Sequence, residues 1–392
     1  MTVVKRCLAL IGAVLLSFAP AAAQPQPVTI DVIINNTGSN AFVGESYSTA
    51  LRVLEQLVNK TGGIQGRPLH FEFHDDGSSV SQSVQIATQL IAKHPAVVIG
   101  PAASGTCAAV APLFVNGPVD FCLSTAYAPV PRGYVFASAT QVQTYVGPAS
   151  IRYMRLRGYK RLAVIDATDA TGQASDKMMQ YVLSLPESAG LQYVAWEHFS
   201  PTDISIAAQA QRMLAAHPDA VVTFAGGTEF GTVLRGIYDA GLKVPVFASG
   251  ANLDAAQLTS YKAFLPPAMY FNSFLFFGRD ALPAGKLRDN VDQMYAAYKA
   301  AGQKVSPSSG FGWDPGWVVV NALRKLGPNA TADQLHTYLE GLHDFAGVDG
   351  IYDFPRTADN HGLTDLSVII VTWNPDKADF TVVSKPGGYP LK

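Results

Sequence analysis

Apolar residues from position 28 onward alternate between short unbroken runs and longer sets at helical spacing. The β-branched run 29–34 predicts a buried strand, and residues 48–60 carry apolar side chains at helical spacing before Gly62 and Gly63 end the helix. The same signals predict a strand at 69–73, a helix at 80–93 and a strand at 96–99. This βαβαβ order predicts a parallel sheet with helices on both faces.

The pattern resumes in the second half of the chain. Strands are predicted at 161–166, 193–199 and 220–224, with a helix at 174–185 between the first two. Residues 85–106 and 209–230 resemble one another, because each contains a helix, a His-Pro pair, an Ala-Val-Val strand and a loop of small residues. Two copies are too few for a solenoid, so the sequence predicts two similar, doubly wound α/β lobes.

Small, uncharged residues follow the predicted strands at their carboxyl ends. In an open parallel sheet this edge binds ligands, because helix N-termini there present free N–H groups. Such loops offer hydrogen bonds and close backbone approach rather than acid–base chemistry. Ordinary turn and cap residues have the same composition, so no single loop is diagnostic. The loops are 37–42, 101–106, 124–127, 167–172, 225–230 and 249–253.

The charge balance narrows the classes of partner. The 392 residues include 28 Lys and Arg against 30 Asp and Glu, for a net charge of −2, and no basic run is present. Neutralising phosphates requires clustered basic side chains, so the sequence argues against a nucleic-acid partner.

The first 23 residues have the pattern of a signal peptide. Lys5 and Arg6 precede an apolar run at 7–18, and residues 20–23 are small, with cleavage expected between Ala23 and Gln24. The apolar run is shorter than the roughly 20 residues that span a membrane. A buried N-terminal helix is the alternative. The signal pattern predicts an exported protein.

Cys107 and Cys122 would remain after cleavage. An oxidising compartment permits a disulfide between them, and both lie near the ends of adjacent predicted elements. A pair of buried free thiols is the alternative that the sequence leaves open.

Motifs of catalysis and cofactor binding were sought without result. The chain has no phosphate-binding loop, no dinucleotide fingerprint after the first strand and no nucleophile elbow. His70 and His74 share one strand face, but residues four apart on a strand are about 13 Å apart, so one ion cannot bridge them. We therefore expect no cofactor, no metal and no enzymatic activity, with an exported enzyme as the remote alternative.

Several motifs, in order and spacing, resemble those of a known family. Residues 62–69 read GGIQGRPL and are followed by Asp75-Asp76-Gly77; residues 98–106 read VIGPAASGT. Ser124-Thr125-Ala126, Gly312-Trp313-Asp314 and the segment 345–354 follow. Over essentially the whole mature chain the sequence resembles the leucine/isoleucine/valine-binding type of periplasmic binding protein, the type I solute-binding components of ABC transporters.

The resemblance implies two α/β lobes that are joined by three crossovers and close on a ligand in the cleft. Lobe one would comprise 27–146 plus 274–364, and lobe two 147–273 plus 365–385. It implies a monomer in the periplasm that binds a small-molecule ligand and delivers it to ABC permease subunits in the inner membrane. A ligand sensor on the same scaffold, acting on a receptor or regulator, is the alternative function.

The resemblance also assigns ligand contacts to the loops at the strand ends. Ala103 and Ser104 would present a backbone N–H and a hydroxyl to a carboxylate, as would the segment after Ser124. Phe311 and Trp313 would border the ligand tail. The remaining expected contacts are Ser39, Asn40, Phe42, Ala126, Tyr127, Thr171, Gly227, Thr228 and Asn252.

Two positions depart from the amino-acid binders of this family. Thr171 stands where an aromatic residue is usual, and Asn252 lies where an acidic residue would hold the ligand ammonium; Asp254 would serve only if the alignment slipped by two. An unpaired buried ammonium is costly. A small carboxylate with an aromatic or branched apolar body therefore suits this cleft at least as well as a branched-chain amino acid.

Overall fold

The computed structural model describes residues 25–124 and 126–391. The predicted signal peptide lies outside these residues, so it stays a prediction. Within the described part, no helix is both long and apolar enough to cross a membrane.

Helices and strands alternate along most of the described chain. The helices are α1 (Ala41–Lys60), α2 (Val80–Ile91), α3 (Ser104–Val110), α4 (Gly147–Leu156), α5 (Ala170–Ser184), α6 (Ala207–Ala215), α7 (Gly227–Asp239), α8 (Ala255–Ser260), α9 (Lys286–Ala300), α10 (Ser309–Leu326), α11 (Ala332–Glu340) and α12 (Phe354–Thr357). The strands are β1 (Val28–Ile34), β2 (Leu69–Asp75), β3 (Val97–Ile99), β4 (Val119–Cys122), β5 (Val135–Ala137), β6 (Arg161–Ala167), β7 (Gln192–Phe199), β8 (Ala220–Thr223), β9 (Val246–Ala248), β10 (Met269–Phe274), β11 (Phe345–Ala346), β12 (Ile351–Tyr352), β13 (Val368–Asn374), β14 (Asp379–Val382), β15 (Ser384–Lys385) and β16 (Tyr389–Pro390).

The first sheet has the strand order β2-β1-β3-β4-β5, and every pairing in it is parallel. Its two faces are both buried. Ile30 and Val32 belong to the core shared with α1 and α10, whereas Ile33 packs with Val98 in a cluster that includes residues of α2 and α3. Burial on both faces explains why the strands read as unbroken apolar runs.

The second sheet has the order β14-β13-β10-β9-β8-β6-β7. Strands β6 to β10 are parallel, and β13 and β14 add an antiparallel edge. Between β10 and β13 the chain returns to the first sheet, where α9 and α10 pack against α1. The chain therefore passes between the two sheets three times, after β5, after β10 and before β13.

The predicted fold class, two doubly wound lobes with parallel sheets, is confirmed. The residue boundaries of the lobes stay a prediction. The internal similarity is also visible, since His94 and His217 both follow a helix in the left-handed conformation, with φ of 52° and 47°.

Two helices begin earlier than the sequence pattern predicts. Helix α1 begins at Ala41 instead of residue 48, and α5 begins at Ala170 instead of residue 174. The first turn of α5 carries small or polar residues, which in sequence resemble loop residues because helix caps and turns favour the same types, and the first turn of α1 contains Gly44, which is unfavourable inside a helix. Parts of the predicted loops 37–42 and 167–172 are therefore first turns of helices.

Cys107 and Cys122 are joined by a disulfide, with their Cα atoms 5.9 Å apart. Both residues are fully buried, and the bond connects α3 to the end of β4. It lies beneath two of the loops that the sequence assigned to the cleft, 101–106 and 124–127.

Candidate functional site

A cavity of about 220 Å³ opens between the two sheets, where the chain crosses from one to the other. Helices α1 and α10 form one wall, and the segments after β8 and β9, together with the last residues of β10, form the opposite wall. A π-helical turn at Val142–Val146, in the first crossover, contributes the base. The lining residues are Val43, Tyr47, Val142, Val146, Phe224, Ser249, Gly250, Ala251, Leu253, Asn272, Ser273, Phe274, Pro307, Ser308 and Phe311.

Aromatic rings form much of the cavity wall. Phe311 lies between Tyr47 and Phe274, with ring centroids at 6.1 Å and 5.1 Å and interplanar angles of 76° and 82°. Such edge-to-face geometry is the favoured arrangement of aromatic pairs. The fourth ring is Phe224, which directly follows β8. The wall suits an apolar or aromatic group of a ligand.

The polar groups of the cavity are uncharged. None of the described residues that line it is acidic or basic. The amide oxygen of Asn272 accepts a hydrogen bond from the Gly250 N–H at 3.1 Å, which orients its NH₂ group as a donor. Burial, followed by the nearby Asp349 carboxyl, raises the pKa of Tyr47, so its hydroxyl remains a neutral group. The cavity thus offers hydrogen bonds without a counter-ion.

Asp166 supports one wall from behind. Its carboxylate accepts a hydrogen bond from the Phe224 N–H at 2.5 Å and another from the Ser175 hydroxyl at 2.6 Å. These bonds join the end of β6 to α5 and to the segment that carries Phe224. Burial raises the pKa of Asp166 to about 7, although both hydrogen bonds favour the ionised form. Asp166 is therefore a positioning residue for the aromatic wall.

Two further buried acids, Asp314 and Asp349, lie beside the first turns of α10. Asp314 accepts hydrogen bonds from the N–H groups of Val348 and Asp349, at 2.8 Å and 2.9 Å, and from the Tyr352 hydroxyl at 3.1 Å. The Asp349 carboxyl has no hydrogen-bond partner among the described residues. Burial raises the pKa of Asp314 to about 7, and burial together with Asp314 raises that of Asp349 well above its usual range.

Comparison with known proteins places this two-lobed architecture in a family. A sequence model described as periplasmic binding protein matches residues 27–378. The chain belongs to the periplasmic binding protein family. The proteins of this family and the structural neighbours below are substrate-binding proteins.

Two curated relatives of this periplasmic binding protein carry informative names. A Leu/Ile/Val-binding protein homolog 3 of Brucella melitensis is 25% identical over 58% of this chain. The Leu/Ile/Val-binding protein BraC3 of Rhizobium johnstonii is 26% identical over 57% of it. The chain spans 62% and 61% of the lengths of these two relatives.

Solved structures share the fold at low identity. A periplasmic binding protein type 1 from Bordetella pertussis has a TM-score of 0.75 at 19% identity, covering 93% of this chain and 100% of that one. The substrate-binding protein LivJ of a branched-chain amino acid transporter from Streptococcus pneumoniae, in complex with isoleucine, has a TM-score of 0.72 at 20% identity, covering 91% and 99%. These likenesses show the type I periplasmic binding protein fold.

The predicted contacts of the first lobe lie at the carboxyl edge of its sheet. Ser39 and Asn40 are exposed in the loop before α1. Phe42, expected in a loop, is on the first turn of α1 with 78% of its surface exposed. Ala103 and Ser104, both half-buried, begin α3.

The loop after β4 is tied to the first crossover. Ser124 is half-buried and accepts a hydrogen bond from the exposed Ala126 at 3.3 Å, and Tyr127 is half-buried. The ring nitrogens of His361 lie 2.9 Å from the Tyr127 carbonyl oxygen and 3.1 Å from that of Ala139. Ligand contact by these loop residues stays a prediction.

The predicted contacts of the second lobe differ in burial. Thr171 is exposed on the first turn of α5, and Gly227 and Thr228 are exposed on the first turn of α7. Asn252 is only 1% exposed, and its NH₂ group donates to the Ala225 carbonyl at 2.9 Å. Asp254 caps α8 by accepting from the Gln257 N–H at 2.8 Å. Both side chains are thus engaged in holding loops.

Phe311 and Trp313 have different surroundings. Phe311 lines the cavity, as expected for a residue that borders the ligand. Trp313 is 1% exposed and packs at 6.2 Å from the Tyr298 ring, so it is a core residue that supports α10 and not part of the cavity wall. The expected contact of Trp313 with the ligand tail is corrected accordingly.

Most of the cavity lining was missed by the sequence reasoning. Val43 and Tyr47 are four residues apart on α1, a spacing that would have identified them had the helix been extended to Ala41. Val142 and Val146 lie on the first crossover and Asn272 lies near the end of β10, and their positions follow from how the lobes meet. No local pattern in the sequence marks that meeting point.

Proposed function

We propose that this periplasmic binding protein is the solute-binding component of an ABC importer and works in the periplasm. Its ligand is a small carboxylate with an aromatic or branched apolar body. The observation that carries the proposal is an uncharged, aromatic-walled cavity between two lobes. Enclosed, largely apolar pockets with a few placed polar groups are the usual form of small-molecule sites.

The cavity lining has no acidic side chain among the described residues, and this distinguishes amino-acid ligands from acids that lack an ammonium group. The ammonium of an amino acid needs an acidic partner when it is removed from water, because an unpaired buried charge is costly. The described lining offers no acidic group, Asn252 is an uncharged amide whose NH₂ group donates to the Ala225 carbonyl, and Asp254 caps a helix. An acid without an ammonium group is therefore favoured over leucine, isoleucine or valine, which the curated relatives are named for.

The proposed binding mode divides the ligand between two places. The body occupies the cavity against Tyr47, Phe274 and Phe311, where apolar surface is removed from water. The carboxylate extends toward the loops of the first lobe, where Ala103 and Ser104 supply a backbone N–H and a hydroxyl. A hydroxyl or carbonyl on the body would bind the free amide group of Asn272.

Ligand binding would close the cleft by increasing the fraction of molecules in the closed state. A ligand that contacts both lobes stabilises the closed state over the open one, and the closed form is what a permease would recognise. The permease subunits of an inner-membrane transporter are the proposed partner.

A thermal-shift panel on residues 24–392 tests the ligand class. We expect 4-hydroxybenzoate, 3-phenylpropanoate or 4-methyl-2-oxopentanoate to raise the melting temperature, since a ligand at 100 times its Kd adds about 2.7 kcal/mol to the native state. Leucine and isoleucine at equal concentrations should have less effect. Benzyl alcohol is the control for the carboxylate.

Two outcomes would contradict this assignment. Stabilisation by leucine or isoleucine but by none of the acids would show that the protein binds amino acids without an acidic lining residue. Equal stabilisation by benzyl alcohol and the acids would remove the carboxylate from the recognition. Ser104→Ala should weaken binding of the best acid by about 1–3 kcal/mol, and an unchanged Kd would remove Ser104 from the site.

A further inference from the structure

Two neighbouring strands of the first sheet bring three potential metal ligands together. In the parallel register of β1 and β2, Asp31 lies directly opposite Glu72, and His74 lies two residues further along β2. Side chains two apart on a strand share a face. One ligand atom from each of the three residues lies within 4.8 Å of the other two. The imidazole Nε2 of His74 is 2.8 Å from the Asp31 carboxylate.

The charges of this cluster are unbalanced. Carboxylates directly opposite each other on adjacent strands repel, and Asp31 is only 8% exposed. Among the described residues, no Lys or Arg forms an ion pair with Asp31 or Glu72, and the Glu72 carboxylate forms no side-chain hydrogen bond. A cation at this position would relieve the repulsion and use the lone pairs of both acids.

His70 and Asp31 differ in their distance from His74. His70 and His74 are four residues apart on β2, about 13 Å at the strand rise, and one ion cannot join them. In the register of the sheet, the residue close to His74 is Asp31 of the neighbouring strand and not His70 of the same strand. Such a contact between strands cannot be read from spacing along one strand.

We propose that Asp31, Glu72 and His74 form a binding site for a divalent transition-metal ion, with zinc the best match. Zinc accepts a combination of imidazole and carboxylate ligands in tetrahedral geometry, with water in the fourth position. The imidazole disfavours calcium and magnesium, which select oxygen ligands. The ion would join the edge strand β2 to β1 and stabilise the first lobe.

This site is separate from the ligand cavity. Asp31 lies four residues before Asn35, where β1 has ended and the cleft loop begins, a distance of about 13 Å along the strand. None of the three residues lines the cavity. The proposal is therefore independent of the identity of the organic ligand.

Calorimetric titration of tag-free, EDTA-treated residues 24–392 with zinc chloride tests the proposal. We expect one equivalent to bind, with affinity reduced roughly tenfold or more in Glu72→Gln and His74→Gln, since even residues that only orient ligands contribute 10–100-fold. Cobalt(II) should give a visible absorption band that both substitutions remove. Glu72 is exposed, so Glu72→Gln should fold normally.

Two matched histidine controls accompany the titration. His70→Gln changes a histidine on the same face of β2, and His198→Gln changes one that bonds Asp176 at 2.9 Å in the other lobe without a third ligand. Both should bind zinc like the unsubstituted protein. Failure to bind zinc would show that the cluster is only an Asp31–His74 ion pair. Equal losses in the controls would show non-specific binding by surface histidines.

Discussion

Asp166, Asp314 and Asp349 are buried carboxyl groups that surround the cavity without lining it. Burial raises the pKa of Asp166 and Asp314 to about 7, whereas the same groups in an unfolded chain titrate near 4. Between about pH 4 and pH 7 the native state therefore holds more protons than the unfolded state. The free energy of unfolding should fall as the pH rises through this window and level off above it.

Replacing Asp166 with asparagine should flatten part of that pH dependence. Asparagine is uncharged at every pH, and its amide oxygen can still accept from the Phe224 N–H. We expect D166N to match the unsubstituted protein at about pH 4 and to exceed it at pH 8, with the slope between them reduced by up to about 1.4 kcal/mol per pH unit. Urea unfolding at several pH values measures both curves. An identical slope in D166N would show that Asp166 ionises normally.

Phe311 is the residue that joins the predicted site to the observed cavity. Phe311→Ala removes two aromatic pairs, each contributing about 0.5–1.5 kcal/mol, and should weaken binding of the best acid about tenfold. Trp313→Phe is the control, because Trp313 packs in the core two residues away. We expect it to lower the melting temperature while leaving Kd nearly unchanged. If Trp313→Phe lost more affinity than Phe311→Ala, Trp313 and not Phe311 would be the residue that contacts the ligand.

The sequence predicts which residues lie near the cleft more readily than it predicts which way each side chain points. Phe311 lines the cavity, and its predicted contact with a ligand stays a prediction, whereas its neighbour Trp313 is buried. Both belong to one helix turn, and which of them faces the cleft depends on how α10 packs against α1. Asn252 shows the same limit, since it is buried and its NH₂ group donates to the backbone carbonyl of Ala225.

At the scale of elements, the strands and most helices were predictable because their apolar patterns are strong. Strand β1 was predicted to within one residue, while α1 and α5 start seven and four residues earlier than expected. The starts were not recognised because Gly44 in α1, and Thr171 and Gly172 in α5, resemble loop residues in sequence. The consequence for the site is direct, since Tyr47 lies in the missed part of α1.

The contact of α1 with α10 requires glycine at position 312. A Cβ atom there would lie 2.8 Å from the Tyr47 carbonyl oxygen and 3.1 Å from the Ala50 Cβ. Gly312→Ala should therefore separate the helices, displace Tyr47 and lower both stability and affinity for the acid ligand, by about 1–3 kcal/mol in stability. Gly341→Ala, whose new Cβ would meet only ordinary contacts, is the control. Unchanged binding in Gly312→Ala would mean that this contact does not position the wall.

At the scale of the whole molecule, the two-lobed fold was predictable from alternation and internal similarity. The cavity was less predictable, because its lining combines α1, α10 and three segments of the second sheet with a crossover turn. These parts are distant in sequence and meet only once both lobes are assembled. The strand ends therefore indicate where the cleft lies, but not which residues of the helices and of the crossover turn line the cavity.

Closure of the lobes should be measurable in solution. If an acid ligand bridges the lobes, its addition should reduce the radius of gyration, because the closed population becomes dominant. Small-angle X-ray scattering with and without the best acid measures the change, and Phe311→Ala at the same ligand concentration should show less of it. A saturating ligand that left the scattering curve unchanged would contradict binding by closure.

The position of β13 has a consequence for how the chain folds. This strand pairs with β10, joining Phe271 to Val371 across about a hundred residues that belong to the other lobe. The second sheet therefore cannot be completed until nearly the whole chain has been synthesised. Such distant pairings slow folding, because loop closure must precede the contacts that stabilise it. A newly made chain would therefore keep the edge of β10 unpaired, and its second sheet incomplete, until β13 has been synthesised.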